Sequence, residues 1–291
     1  EDTIDRVVEA CNKQLKCDFN EHDQKDIKDM MMNLKGTVAG RFLWQLGTKT
    51  VDKLGLPSLQ NCAFTVVDDP IRPFTWAFEM LMLGSGVGYN IQREHVYQLK
   101  RVMEASFVTG DGFTYDTSLI RPAGSPIKGF GGTASGPNDL IWGMQEINRI
   151  LNERSGQRLK PIDCLDVMNI IAKIVVAGNV RRSAQIAIGD HDDIEYLRAK
   201  RWDLGGIPNW RAMSNNSVAC DDVSLLPEEF WEGYKGNGEP YGLINLTSSR
   251  RMGRTGDTKY PDPDVMGYNP CAEQSLAPFE TCCLAEIYLP N

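Results

Sequence analysis

The sequence is poor in the residues on which several common chemistries depend. Only three histidines occur, His22, His95 and His191, each isolated, and no HExxH, CxxC or CxxH spacing is present. That leaves little to build a zinc site, so no metal is expected, and little for a triad that needs a positioned imidazole. No apolar run approaches the ~18–20 residues of a membrane span, and nothing at the start reads as a signal peptide, so no membrane partner is expected. Basic residues are outnumbered, 31 Lys and Arg against 39 Asp and Glu, for a net charge of −8. This argues against a nucleic-acid polymer, which calls for a basic stripe. A single nucleotide remains compatible, because local Arg, Lys and backbone N–H groups can hold a few phosphates. There is no initiating Met, and the chain stops soon after an apolar run, so it is expected to be a piece of something longer.

What is present suits a folded α/β protein. The hydrophobic fraction is an ordinary 42%, enough for a sizeable core. Eight cysteines (11, 17, 62, 164, 220, 271, 282, 283) are scattered over the whole chain. That is not the dense framework of a small secreted domain, and a reducing cytoplasm is the expected compartment. Residues Asp5 to about Lys35 read as helical, and Gly36 to Leu56 as a connection. Strands are predicted over Gln60–Val67, Ala184–Ile188, Asn216–Cys220, Tyr241–Leu246 and Cys283–Leu289. Helices are predicted over Phe74–Leu83, Asp139–Glu153, Asp163–Ala177 (with Gly178 as its cap) and around Pro227–Tyr234. Such alternation indicates an α/β sheet or barrel. The domains expected are an N-terminal helical region over 1–58 and an α/β region over 59–291.

The chemistry-bearing stretch lies near the C-terminal end: Asn269-Pro270-Cys271-Ala272-Glu273, then Glu280-Thr281-Cys282-Cys283. In an extended segment side chains alternate faces, so Cys271, Glu273 and Asn269 would project to one side, a thiol beside a carboxylate. Three buried cysteines acting as small hydrophobes are the plainer alternative, and Cys11 and Cys17 are read that way. Gly84-Ser85-Gly86-Val87-Gly88 follows a helix and precedes an extended run, the reverse of a dinucleotide fingerprint. Its glycines are expected to let backbone approach a ligand or neighbouring strands. The stretch Arg121–Pro137 holds five glycines and three prolines. A loop this long without secondary structure is usually functional or disordered, and phosphate contact through Lys128 is a reasonable expectation beside that of a surface linker. Arg181-Arg182-Ser183 fits anion or base recognition, or solvated surface charge.

Together, Asn61-Cys62-Ala63-Phe64, Gly84–Gly88, Gly129–Gly136, Arg181–Ala187 and Asn269–Glu273, in this order with the cysteine hairpin, resemble ribonucleotide reductases from about residue 40 onward. The likeness is to the adenosylcobalamin-dependent class II enzymes of the monomeric ribonucleoside-triphosphate reductase type. The resemblance implies the first part of a ten-stranded α/β barrel with a finger loop inside it. Cys271 matches the thiyl-radical cysteine, Glu273 the base for the 3′ hydroxyl, and Asn269 the amide that orients substrate hydroxyls. Cys62 and Cys282 match the reducing dithiol, which leaves Cys283 pointing elsewhere. Ser85, Gly86 and Asn61 fall where the family holds substrate. Residues 122–136, with Lys128 and Gly131, resemble the first specificity loop. Residues 178–185, with Arg181, Arg182, Ser183 and Gln185, resemble the second.

The partners implied are a ribonucleotide substrate, a deoxynucleotide effector, a thioredoxin- or glutaredoxin-like reductant and a complementary C-terminal chain or segment. The passage from Gln98 to Met103 is shorter than in the monomeric enzyme type, where an insertion helps form the effector site. Two other readings are set against this one. The first is a nucleotide-binding fragment silent without a complementary chain. The second is a thiol redox or metal-binding protein using Cys62, Cys271, Cys282 and Cys283.

Overall fold

The computed structural model describes residues 1–96, 116–127, 132–177, 183–240, 242–252, 254 and 261–289. Lys128, Gly131, Gly178, Arg181 and Arg182 lie outside them. The chain divides into two compact units, one of residues 1–62 with 281–291, the other of residues 63–280. Strands among the described residues are β1 (Gly36–Val38), β2 (Cys62–Val66), β3 (Gly86–Asn90), β4 (Gln185–Asp190), β5 (Ser214–Ala219), β6 (Gly242–Ile244), β7 (Gly267–Tyr268), β8 (Ser275–Leu276), β9 (Thr281–Cys282) and β10 (Ala285–Ile287).

The first unit is mainly helical. The single helical stretch expected over Asp5–Lys35 is two helices, Asp2–Lys13 and Glu21–Met32. Lys16 and Asp18 take left-handed φ values of 57° and 54° and break it. Asn20 then starts the second helix: its Oδ1 accepts from the His22 and Asp23 N–H groups, and Asp23 accepts from the Asn20 N–H, a reciprocal cap. The stretch read as a connection carries two short helices, Gly40–Gln45 and Lys49–Leu54. They pack Leu46 and Val51 with Val7, Ala10, Cys11, Met31 and Leu59, so Cys11 is core, as expected, whereas Cys17 is exposed and is not a buried hydrophobe. The strand predicted over Cys283–Leu289 is found, shorter, as β10. β9 and β10 are separate, and β10 pairs antiparallel with β1, Gly36 facing Ile287 and Val38 facing Ala285.

In the second unit strands lie in the order β6-β5-β4-β3-β2. β3, β4, β5 and β6 pair parallel, with Val87 beside Gln185, Gln185 beside Ser214 and Ser217 beside Gly242. Parallel strands need crossovers and cover on their faces. The helices Arg72–Met82, Asn138–Glu153 and Pro161–Val176 belong to this layer. One sheet face (Ala63, Val67, Val87, Tyr89, Ala187, Val218) joins Leu165, Met168, Ile171 and Ala172 of the last helix in a single core. That helix is buried nearly all round, which suits its apolar sequence. Its polar residues find individual partners, except that Asn169 Oδ1 is buried without one among the described residues. Asp166 accepts two bonds from Arg211, at 2.6 and 2.7 Å, and one from Trp210 at 2.9 Å. Asn169 Nδ2 lies within hydrogen-bond distance of three oxygens for its two hydrogens, Tyr89 Oη, Leu165 O and Ser214 Oγ. Among the described residues, no helix is long and apolar enough to cross a membrane.

Two glycine-rich segments behave differently from each other. After Arg72–Met82 the Gly84 N–H donates to Leu81 O and the Ser85 N–H to Met80 O, with Gly84 at φ 85°. This is a Schellman stop, which needs a left-handed residue. The described part of the loop over 122–136 has structure of its own, contrary to the expectation of a loop without any. The Gly124 N–H donates to Ala134 O, Ala134 N–H to Ser125 O and Ile127 N–H to Gly132 O, and Pro126 and Thr133 pair antiparallel.

Candidate functional site

Cys271 sits at the tip of a β-hairpin in the second unit. β7 and β8 pair antiparallel, Gly267 with Leu276 and Tyr268 with Ser275, and residues 269–274 turn between them. Asn269 is fully buried. Its Oδ1 accepts the Gln274 N–H at 3.1 Å, its own N–H donates to Gln274 O, and its C=O accepts the Ala272 N–H. Ala272 closes the turn with a left-handed φ of 61°. Cys271 and Glu273 are exposed. The alternation expected of an extended segment therefore does not apply. The segment is a turn, and Asn269 is directed inward where Cys271 and Glu273 are not.

The glycines after the Schellman stop explain how this hairpin is held. Gly86, Gly88 and Asn90 alternate onto one face of β3, and the hairpin strand lies across that face. A Cβ at Gly88 would stand 1.9 Å from Tyr268 O, one at Gly86 2.8 Å from Pro270 Cγ, and one at Gly267 2.3 Å from the Phe64 ring. Asn90 Nδ2 donates to Met266 O at 2.9 Å. The expectation of close backbone approach is met, and what approaches is the hairpin stem. Phe64 and Phe279 add a second tie, since the Phe279 N–H donates to Phe64 O and the Phe64 N–H to Glu280 O. Ser85 is buried at the same turn.

Beside the tip a cavity of about 390 Å³ is lined by Leu243, Ile244, Asn245, Ser249, Tyr268 and Ala272, among others. Ser249 Oγ and Tyr268 Oη lie 2.5 Å apart on its wall. It is open, mixed in polarity and adjacent to the Cys271 turn.

The other candidate thiols, Cys62, Cys282 and Cys283, belong to the first unit. Cys62 is half-buried, Cys282 buried and Cys283 exposed. The Asn61 N–H donates to Cys282 O at 3.1 Å, which sets Cys282 against the 61–62 segment. Cys283 Sγ is 3.9 Å from both Leu59 O and Asn61 Oδ1, and burial raises its pKa above the usual thiol value. Sequence reasoning missed Arg41, which it placed in a connection. Its guanidinium donates to Ser58 O at 3.3 Å, Cys62 and Cys283 act on it electrostatically, and it acts in turn on Cys283. Some twenty residues separate it from Cys62, and no motif links them.

Of the loop residues, Ser183 is half-buried. Gln185 opens β4 with its side chain buried, Nε2 donating to Met168 O at 3.2 Å.

Comparison with known proteins agrees with the motif reading. The family model described as "B12-dependent ribonucleotide reductase, insertion domain" matches residues 96–151. An insertion-domain sequence thus occupies the stretch where a shortened passage was expected. The adenosylcobalamin-dependent ribonucleoside-triphosphate reductase of Lactobacillus leichmannii is 33% identical over 365 aligned positions, covering 97% of this chain and 49% of that protein. The alignment is longer than the chain, so the relative carries stretches with no counterpart here. The protein of the same name from Euglena gracilis is 33% identical, covering 99% of this chain and 45% of its own length. A crystal structure of a B12-dependent (class II) ribonucleotide reductase superposes with a TM-score of 0.76 at 28% identity, over 99% of this chain and 52% of that one. The chain spans about half the length of the curated relatives it matches. It belongs to the family of B12-dependent, class II ribonucleotide reductases.

Proposed function

We propose that this chain carries the finger-loop half of an adenosylcobalamin-dependent ribonucleoside-triphosphate reductase, which makes deoxynucleotides for DNA synthesis. Residues 59–291 are read as the first part of its catalytic barrel, and the cytoplasm as its compartment. The observation that carries this is the Cys271 hairpin, seated on glycines of β3 beside an open cavity, in a chain of this family. An exposed thiol on a tightly held turn fits a cofactor that generates a radical, and Cys271 is the residue of this chain that would face it. The chemistry adenosylcobalamin supplies when bound is formation of that radical.

The chain's own residues then divide the work. Cys271, as a thiyl radical, removes the 3′ hydrogen of the ribose. Glu273, two residues on and also exposed, takes the 3′ hydroxyl proton. The 2′ hydroxyl leaves as water while Cys62 and Cys282 give up two electrons and two protons and become a disulfide. Cys271 finally returns the hydrogen to C3′, and an external dithiol of the thioredoxin or glutaredoxin kind restores the pair. The buried Asn269 acts by holding the turn through its bond with Gln274. Ser85, Gly86 and Asn61 are assigned to substrate. Lys128, Gly131, Arg181, Arg182, Ser183 and Gln185 are assigned to the two specificity loops, where a deoxynucleotide effector acts.

The test is turnover of the complete protein with each ribonucleoside di- and triphosphate and a dithiol. Deoxynucleotide formation strictly requiring adenosylcobalamin, with no second radical-generating subunit and with triphosphates preferred, is the expected result. Turnover without the cofactor would overturn the reading.

A further inference from the structure

The half-buried Arg41 belongs to the first unit with Cys62, Cys282 and Cys283, and its bond to Ser58 ties it to the segment that leads to Cys62. The helix Gly40–Gln45 carries it, and Nη1 donates to Ser58 O at 3.3 Å. Ser58 is itself buried and held by its own hydroxyl, which donates to Gly55 O at 2.7 Å, so the carbonyl that receives Arg41 is fixed. Immediately downstream, Leu59 O and Asn61 Oδ1 are the two atoms 3.9 Å from Cys283 Sγ. Cys62 follows Asn61, whose N–H is bonded to Cys282 O. The segment 58–62 therefore ties one guanidinium and three cysteines into a single neighbourhood.

We propose that Arg41 is a positioning residue for thiol chemistry, the counter-ion that favours the thiolate of Cys62 and of Cys283. A cation held in the same neighbourhood as a thiol favours its charged form, and lowered thiol pKa values are found beside Lys, Arg and His⁺. At Cys283 the attraction opposes the burial that raises its pKa, together with a bond from the Leu284 backbone. Arg41 is the charged side chain acting on Cys283 there, while the thiols in turn act on Arg41. The consequence is chemical. Thiol–disulfide exchange proceeds through the thiolate, and a thiol with a lower pKa is the better leaving group. Arg41 thereby biases exchange at a Cys62 disulfide towards release of Cys62. That consequence rests on the reading of Cys62 as a reducing thiol, whereas the electrostatic claim concerns the thiols alone.

The experiment keeps the two apart by reading the thiols without turnover. Alkylation of each cysteine by iodoacetamide, followed peptide by peptide by mass spectrometry across pH 6–10, gives a midpoint for every thiol in the complete protein. Wild type is compared with Arg41→Lys, which retains the charge, and with Arg41→Gln and Arg41→Met, which remove it. Met preserves most of the packed stem should Gln fail to fold. The exposed Cys17 serves as the internal control. The expected result is a roughly tenfold slower alkylation of Cys62 and Cys283 near pH 7.5 in the uncharged variants, with Lys close to wild type and Cys17 unchanged. Superimposable profiles for Cys62 and Cys283 in wild type and in whichever uncharged variant folds would overturn the proposal, whatever the reductase activity.

Discussion

Asn269 is buried, and its side-chain oxygen takes a backbone N–H of the turn it begins. Removing that acceptor leaves the Gln274 N–H without it inside the protein, a loss of about 1–3 kcal/mol. Asn269→Ala is therefore expected to lower stability by that amount in urea unfolding, and Asn269→Asp, which keeps an acceptor, by less. Among the thiols, Cys282 is buried and Cys283 exposed, and the two are assigned different roles. Cys282→Ser is expected to lose turnover driven by an external dithiol, and Cys283→Ser to keep it. Equal loss from both substitutions would remove the assignment of Cys282 to the reducing pair.

At the scale of elements, the hairpin and β3 are one device. Gly88 is under Tyr268 O at a distance no side chain tolerates. Gly88→Ala must push the hairpin stem off the strand, and overpacking of this kind costs about 1–3 kcal/mol. The expected outcome is a lower unfolding midpoint together with loss of turnover, because the turn bearing Cys271 moves with its stem. An unchanged midpoint with full activity would show that the stem is not held there. The helices of the parallel layer were legible in the sequence because their apolar spacing is long and regular. Phe74–Leu83 is found as Arg72–Met82, and Asp163–Ala177 as Pro161–Val176. The break at Lys16–Asp18 was not legible, since two left-handed polar residues leave no trace in an apolar pattern. The turn carrying Cys271 was legible in part, since Pro270 suits a loop tip, whereas the left-handed φ at Ala272 leaves no trace in the sequence pattern. Arg41 was invisible because its significance lies in a contact with residues 58–62 that local periodicity does not encode.

For the whole molecule, the family likeness extends over nearly all of this chain, while the chain spans about half of its relatives. The order of five weak motifs was legible in the sequence and pointed to the family. The partition of the thiols was not. Cys62 and Cys282 fall in one compact unit, and Cys271 with its hairpin in the other, although Cys271 and Cys282 are close in sequence.

The most direct measurement of the central claim is single-turnover formation of deoxynucleotide by the complete protein, with adenosylcobalamin and prereduced thiols, comparing wild type with Cys271→Ser. The account predicts product from wild type and none above background from Cys271→Ser, with nucleotide binding unchanged in the variant. Deoxynucleotide formation by Cys271→Ser at a rate near that of wild type would contradict it.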